Sequence, residues 1–273
     1  MSLWIDSHNH LHDRRIAADR DRWWAQWRAA GVRAAVVNGT SPDDWPAVAQ
    51  LQRRHPQAVF ASYGLHPWQV RTAPADWQDR LQRQLDRAPA VGIGEIGLDK
   101  WIRQPDLPAQ KRAFVWQWRL AVERDLPVTV HCLRAWGHLI DLLRHLPGLP
   151  RGFLLHSFAG PAELLPGLLD LGAHVSFSGH LMHPRKQAVA ELFRAAVPAD
   201  RLHVETDAPD MAPPDDGAMW WLDETAPNPG PRLNHPANLP RIGAFLAGLR
   251  GLSAGQTADL CRANTTRLFR LPG

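Results

Sequence analysis

Short apolar runs alternate with longer stretches of helical character along the whole chain. Runs such as V-T-V-H, F-L-L-H and L-H-V-E are almost continuously apolar, as expected for strands that are buried on both faces of a parallel sheet. The stretches between them have the length and punctuation of helices, so the pattern indicates repeated βα units. The eight predicted strands are Leu3–His8, Arg33–Asn38, Val59–Gly64, Ala90–Gly94, Pro127–His131, Gly152–His156, His174–Ser178 and Leu202–Glu205.

Eight strands with interleaved helices favour an α/β fold, a (β/α)8 TIM-type barrel that forms a single domain over residues 1–273. The longest predicted helix is Pro105–Asp125, and Ser253–Phe269 is predicted as a last helix beside the barrel. A doubly wound open sheet is the alternative, because alternating strands and helices do not by themselves show closure. No glycine-rich dinucleotide fingerprint follows the first strand, where a Rossmann-type sheet has one, and this favours the barrel.

Polar side chains stand where the predicted strands end. His8 and His10 are two residues apart, so they can point to the same side and bind one cation together. The ends of four other strands carry a histidine or a carboxylate, namely Glu95, His131, His156 and Asp207. Each residue alone is typical of packing or capping, but in a barrel the carboxyl ends of the strands meet at one mouth. Burying so many polar groups there without a metal ion is costly, so the set predicts a metal centre.

Composition and charge change this picture little. The chain has 273 residues, of which 45% are hydrophobic and 21% charged, as is usual for a folded protein with a full core. Two cysteines imply no disulfide framework, and no apolar run approaches the ~20 residues that span a bilayer. Without a signal-peptide pattern, we expect a cytoplasmic protein that does not enter membranes. The net charge of +4 attracts anions such as nucleic acid, but the cations are spread along the chain.

Six short motifs stand in order along nearly the whole chain. The longest is the hexapeptide G-E-I-G-L-D at 94–99. The others are D-S-H-N-H-L at 6–11, G-L-H-P at 64–67, H-S-F-A-G at 156–160, E-T-D-A-P at 205–209 and N-H-P at 234–236. Any one tetrapeptide is a weak signal, whereas the ordered set resembles the TatD family of metal-dependent hydrolases, which belongs to the amidohydrolase-like barrels.

This resemblance implies a site that holds two divalent metal ions. The implied ligands are the residues already found at the strand ends, namely His8, His10, Glu95, His131, His156 and Asp207. The first two histidines and the aspartate would bind one cation, the other two histidines a second, and the glutamate would bridge them. Glu95 and Asp207 are the implied catalytic residues, with Asp207 as both ligand and proton acceptor for the attacking water. Zn, Mn and Mg are the candidate ions, and four histidines favour Zn or another transition metal.

The resemblance also implies a substrate, which is DNA or another phosphodiester hydrolysed by a TatD-like deoxyribonuclease. His66 and Arg134 are the residues expected to contact a substrate phosphate. The sequence departs from the family pattern at positions that face the substrate. Leu133 stands where the family often has arginine, and Lys100 and Asp210 stand where tyrosine is common. These departures bear on the substrate more than on the reaction type.

Two other functions remain open from the sequence. The same chemistry can hydrolyse an amide, ester or lactone of a small molecule, but related barrels of that kind often bridge their metals with a modified lysine. No lysine lies at a predicted strand end. A non-catalytic metal-binding barrel is the other alternative, although such a protein is expected to have lost ligands. No obligate protein partner is evident.

Overall fold

Eight parallel strands form one sheet in the computed structural model, which describes residues 3–17, 20–222 and 232–272. The strands pair in chain order: β1 (Trp4–Asn9), β2 (Val32–Asn38), β3 (Val59–Tyr63), β4 (Gly92–Asp99), β5 (Val128–Leu133), β6 (Phe153–Leu155), β7 (Ala173–Phe177) and β8 (Leu202–Val204). The described α-helices are α1 (Arg20–Ala29), α2 (Trp45–Arg54), α3 (Trp77–Arg87), α4 (Leu107–Glu123), α5 (Trp136–Leu143), α6 (Leu165–Asp170), α7 (Gln187–Ala195), α8 (Leu239–Arg250) and α9 (Ala254–Phe269). None of these helices is both long and apolar enough to cross a membrane.

The two outer strands of the sheet, β1 and β8, lie against each other, so the sheet forms a barrel. The Ser7 hydroxyl donates to the Val204 carbonyl at 3.0 Å. Beyond the end of β8, the Asp207 amide donates to the His8 carbonyl, also at 3.0 Å. The predicted (β/α)8 barrel is therefore confirmed, and the open doubly wound sheet is wrong.

Two apolar layers hold the barrel together. The larger one packs the outer side of the strands against the helices and includes the fully buried Trp27, Phe114 and Phe177. The smaller one contains Ile5, Ala34, Val36, Phe60 and Leu154. The end of α9 and the residues after it complete this layer through Leu268, Phe269 and Leu271. Because these strand residues precede the polar strand ends, the apolar layer occupies the amino-terminal side of the barrel. The opposite side is left for polar groups.

The fourth strand differs most from its prediction. The sequence predicts Ala90–Gly94, whereas β4 runs over Gly92–Asp99. Polar Glu95 suggests a strand end, but this side chain is only 2% exposed and Asp99 is fully buried. β4 also lies very close to β5 at Gly97. A side-chain carbon added there would overlap the His131 carbonyl oxygen. The glycine thus allows two strands that carry site residues to approach each other.

The predicted helices are present, and their starts are set by side-chain caps. α4 begins after Asp106, whose carboxylate accepts a hydrogen bond from the Ala109 amide at 2.9 Å. α9 begins after Ser253, which forms a reciprocal capping box with Gln256. The predictions Pro105–Asp125 and Ser253–Phe269 are therefore correct to within two residues at each end.

Two glycines in α8 provide a matched test of how tightly this helix packs on β1. A methyl group at Gly243 would collide with the Trp4 ring. A methyl group at Gly248 would have no atom within 4 Å outside the backbone of its own helix. We expect Gly243→Ala to lower the free energy of unfolding by about 1–3 kcal/mol through overpacking. Gly248→Ala should raise it by about 0.5–1 kcal/mol, because alanine loses less conformational entropy in a helix. Urea denaturation of both variants checks this, and an unchanged Gly243→Ala would contradict the packing described.

Candidate metal centre

The carboxyl ends of the strands surround a cavity of about 290 Å³. His8 lies beside it and is fully buried. The other predicted ligands line the cavity wall together with His66, namely His10, Glu95, His131, His156 and Asp207. The structure therefore brings together side chains from β1, β4 and β5 with those that directly follow β1, β3, β6 and β8.

Glu95 lies at the centre of this group, and its two oxygens face different histidines. Oε2 is 3.2 Å from Nε2 of His10 and 3.5 Å from Nε2 of His8. Oε1 is 2.8 Å from Nε2 of His156 and 3.2 Å from Nδ1 of His131. One carboxylate thus separates two pairs of imidazoles.

Asp207 approaches the first pair from the opposite wall. Its Oδ1 is 3.2 Å from Nε2 of His8 and 3.4 Å from Nε2 of His10. His8 also stacks on His156, with ring centroids 4.1 Å apart, so the two pairs of histidines are contiguous. The ligand-type atoms lie within 4.8 Å of one another in three groups: His8–His10–Glu95, His8–His156–Asp207 and His66–Glu95–His131.

Three of the histidines are oriented by hydrogen-bond acceptors or carboxylates behind them. Nδ1 of His10 lies 2.8 Å from the Asn38 carbonyl oxygen, to which it can only donate. Nε2 of His131 is 3.0 Å from Oδ2 of Asp99. Nδ1 of His156 faces Oε1 of Glu205 at the longer distance of 3.5 Å. Each arrangement leaves the other ring nitrogen, with its lone pair, facing Glu95.

The buried carboxylates of this group are stabilised by positive charge on the surrounding residues. Although burial opposes ionisation, the surrounding histidines keep the pKa of Glu95 well below its ordinary value. Burial likewise opposes protonation of His10 and His156, yet the nearby carboxylates raise the pKa of both well above the usual range. A cation therefore belongs between these groups, either as bound protons or as a metal ion.

Unpartnered atoms indicate how well a metal fits. Among the described residues, neither ring nitrogen of His8 nor Oδ1 of Asp207 forms a hydrogen bond. Buried polar atoms are normally paired, and imidazole nitrogen with carboxylate oxygen is a common ligand set for divalent transition metals. The site is therefore compatible with divalent metal binding.

The two predicted substrate contacts have different positions. His66 lines the cavity, with Nε2 at 3.3 Å from Oε1 of Glu95 and Nδ1 accepting the Trp68 amide at 3.2 Å. Arg134 lies outside the cavity lining, where its guanidinium stacks on Trp101 at 3.5 Å from the ring centroid. Leu133, which precedes it, lines the cavity instead.

Sequence reasoning missed the outer wall of the cavity. His12 lies 3.4 Å from Asp44, and it continues the alternation of His8 and His10, a signal that was available in the sequence. Arg15 binds Asp210 through both terminal nitrogens, at 2.9 and 2.7 Å, and nothing in the sequence connects residues 195 positions apart. The aspartate found where the family often has tyrosine thus forms an ion pair across the mouth.

Comparison with known proteins supports the resemblance seen in the motifs. The family model described as TatD related DNase matches residues 5–270. The 3'-5' ssDNA/RNA exonuclease TatD of Erwinia tasmaniensis is 33% identical over 263 residues, which cover 96% of this chain and 97% of that protein. The protein of the same name from Cronobacter sakazakii is 34% identical over 253 residues and 92% of each chain.

Solved structures agree with this relationship. YjjV, a TatD homologue from Escherichia coli K12, superposes with a TM-score of 0.87 at 28% identity over 98% of both chains. A TatD family hydrolase from Entamoeba histolytica has a TM-score of 0.80 at 18% identity over 98% of both chains, which shows the shared fold. From its motifs, its match to the family model and these relatives, this chain belongs to the TatD-related DNase family of hydrolases.

Proposed function

We propose that this protein is a metal-dependent nuclease that hydrolyses phosphodiester bonds of single-stranded DNA or RNA. The observation that carries the proposal is the division of the Glu95 carboxylate between two pairs of histidines. Such a carboxylate can bridge two cations, and two-cation sites are common in phosphodiester hydrolysis. The relatives named 3'-5' ssDNA/RNA exonuclease support the substrate class.

Two divalent cations would be held by the residues that converge on the cavity. The ligands of the first would be His8, His10 and Asp207, those of the second His131 and His156, with Glu95 bridging. When bound, such ions lower the pKa of a water molecule and neutralise charge on the phosphodiester. The imidazole-rich set favours Zn or another transition metal, with Mn and Mg as the other candidates.

Asp207 would accept a proton from the attacking water. Burial works against its ionisation, but the His10 and His8 rings beside it keep the pKa of Asp207 below the ordinary aspartate value. The side chain is therefore a carboxylate at neutral pH. It is also held by the backbone of β1, since its amide donates to the His8 carbonyl at 3.0 Å.

His66 would contact the substrate rather than a metal. Its Nδ1 accepts the Trp68 amide, so the neutral ring carries its proton on Nε2, which faces the cavity wall at Glu95. Burial lowers the pKa of His66 to about 4, which keeps the ring neutral. A neutral ring in this tautomer can donate to a phosphate oxygen, but it has no lone pair to give a metal on that side.

The central test uses protein stripped with a chelator and reloaded with Mg²⁺, Mn²⁺ or Zn²⁺. We expect about two cations per chain and metal-dependent shortening of single-stranded oligonucleotides. Single-stranded DNA, single-stranded RNA, duplex DNA and a panel of amides and lactones are assayed side by side. Turnover of an amide or lactone without nucleic-acid cleavage would support the small-molecule alternative. Metal binding without any turnover would support a non-catalytic barrel.

Removal of the bridging carboxylate tests the role of Glu95. Glu95→Ala should reduce kcat/KM on oligonucleotides by about 1000-fold or more, since stabilisation of several kcal/mol is lost with the metal pair. Metal analysis should find fewer than two cations per chain. Glu191→Ala, an exposed glutamate on α7 paired with Arg194, is the matched control and should behave as the wild type. Full metal content and activity in Glu95→Ala would refute the bridging role.

The carboxylate behind His131 gives a milder and reversible test. Asp99→Asn keeps the shape but weakens the partner of Nε2 of His131, so metal affinity should fall about 10–100-fold. Added metal should then restore activity. Cys132→Ala is the control in the same strand, because burial raises the pKa of this thiol and keeps it protonated, and a protonated thiol is a poor ligand. Equal metal affinity in Asp99→Asn and the wild type would contradict the orienting role.

A further inference from the structure

Two large aromatic side chains at the cavity mouth are exposed, whereas most tryptophans of the described residues are buried. Trp68 is 56% exposed and Trp101 is 60% exposed. They belong to the segments that follow β3 and β4, which neighbour each other in the sheet. Leaving this much indole surface in water is unfavourable, so a partner that covers it would gain stabilisation.

Both residues are held in place by one buried carboxylate. The Trp68 indole N–H donates to Oδ2 of Asp99 at 2.6 Å, and the Trp101 amide donates to Oδ1 at 2.6 Å. The same Oδ2 lies 3.0 Å from Nε2 of His131. The Trp68 ring and the Trp101 backbone are therefore anchored to the same carboxylate that faces the candidate metal centre.

The segments that carry these rings, and the one that follows β5, also carry positive charge. The Arg134 guanidinium covers one face of Trp101 at 3.5 Å. Exposed Arg71, Lys100 and Arg103 lie on the same two segments, and among the described residues none of these four cations forms an ion pair with a carboxylate. Across the mouth, the cation in the cavity lining is already paired, because Arg15 lies 2.7 Å from both Asp13 and Asp210.

We infer that Trp68 and Trp101 form a stacking platform for unpaired bases of a single-stranded nucleic acid, with the surrounding cations receiving its phosphates. The inference rests on the proposed nuclease function and adds the path of the strand. Every base offers a face for stacking, and aromatic rings beside basic residues are typical of single-strand binding sites. The charge of Arg15 on the opposite wall is already matched by two carboxylates, so the strand leaves the cavity over the unpaired cations of the segments that follow β3, β4 and β5.

The two tryptophans have different places on this path. Trp68 lines the cavity and receives the base nearest the cleaved bond, whereas Trp101 lies beyond the lining and receives a base further along. A small phosphodiester occupies the cavity without reaching Trp101. Trp101 is therefore the better test, because its ring contributes no atom to the hydrogen bonds of Asp99.

The experiment compares the metal-loaded wild type with Trp101→Ala, Trp101→Phe and Phe245→Ala. Phe245 is an exposed aromatic residue on α8, 37% exposed, and serves as the matched control. Binding of a fluorescein-labelled phosphorothioate oligothymidylate is measured by anisotropy. Hydrolysis of bis(4-nitrophenyl) phosphate is measured beside cleavage of an ordinary ten-nucleotide strand.

The expected result is a selective loss of strand binding. Trp101→Ala should raise the Kd and the KM for oligonucleotides by about 10-fold or more, from the loss of one stacking contact. Its kcat and its hydrolysis of the small phosphodiester should stay at wild-type values. Trp101→Phe should recover most of the affinity, and Phe245→Ala should match the wild type throughout. Annealing the strand to its complement should weaken binding to the wild type and have less effect on Trp101→Ala.

Other outcomes overturn the inference in distinguishable ways. If the wild type cleaves oligonucleotides and Trp101→Ala binds them equally well, the platform is refuted while the nuclease function stands. If Trp101→Ala also loses small-phosphodiester hydrolysis, or if Trp101→Phe is no better than alanine, the residue has a structural role and the platform is again refuted. If the wild type neither binds nor cleaves any oligonucleotide, the proposed function and the platform fail together.

Discussion

The carboxylate of Glu95, only 2% exposed, lies within 3.5 Å of nitrogen atoms from five imidazoles. An ionised carboxylate in such a place is stable only if positive charge is supplied close by. Protons on the histidines or metal ions between them can supply it, and the two compete for the same lone pairs. Occupancy by a metal and the stability of the barrel mouth are therefore linked, since a cation that binds only the folded protein stabilises it.

The backbone places the histidines around Glu95 by bringing neighbouring strands very close together. A side-chain carbon at Gly64 would lie 2.8 Å from the Glu95 carbonyl oxygen, and one at Gly97 would overlap the backbone of His131. Only glycine leaves room for β3 and β5 to approach β4 at these points. Across the barrel seam, backbone hydrogen bonds hold Asp207 and Ala208 to β1 at 3.0 and 2.8 Å. The glycines thus position Glu95 and His131, and the hydrogen bonds of the seam position Asp207 on the opposite side of the same cluster.

Much of the fold and the inner site follows from local sequence pattern. Buried parallel strands are continuously apolar, so a histidine or carboxylate after such a run marks the end of a strand, and barrel geometry gathers those ends. This rule places the end of β4 too early, because Glu95 and Asp99 are polar and yet buried within the strand. The outer wall escapes it for another reason. The pairing of Arg15 with Asp210 depends on loops that only the folded barrel brings together. Neither composition nor periodicity predicts this pair.

Asp99 lies between the candidate metal centre and the exposed tryptophans of the mouth. One oxygen faces both His131 and the Trp68 indole, while the other receives the Trp101 amide. Although burial opposes ionisation, these donors lower the pKa of Asp99 to about 2, so the group stays charged across the physiological range. A carboxylate that pairs with His131 on one side, and on the other accepts from the Trp68 ring and the Trp101 backbone, cannot shift without moving both sides. The candidate metal centre and the proposed stacking platform are therefore joined through a single buried charge.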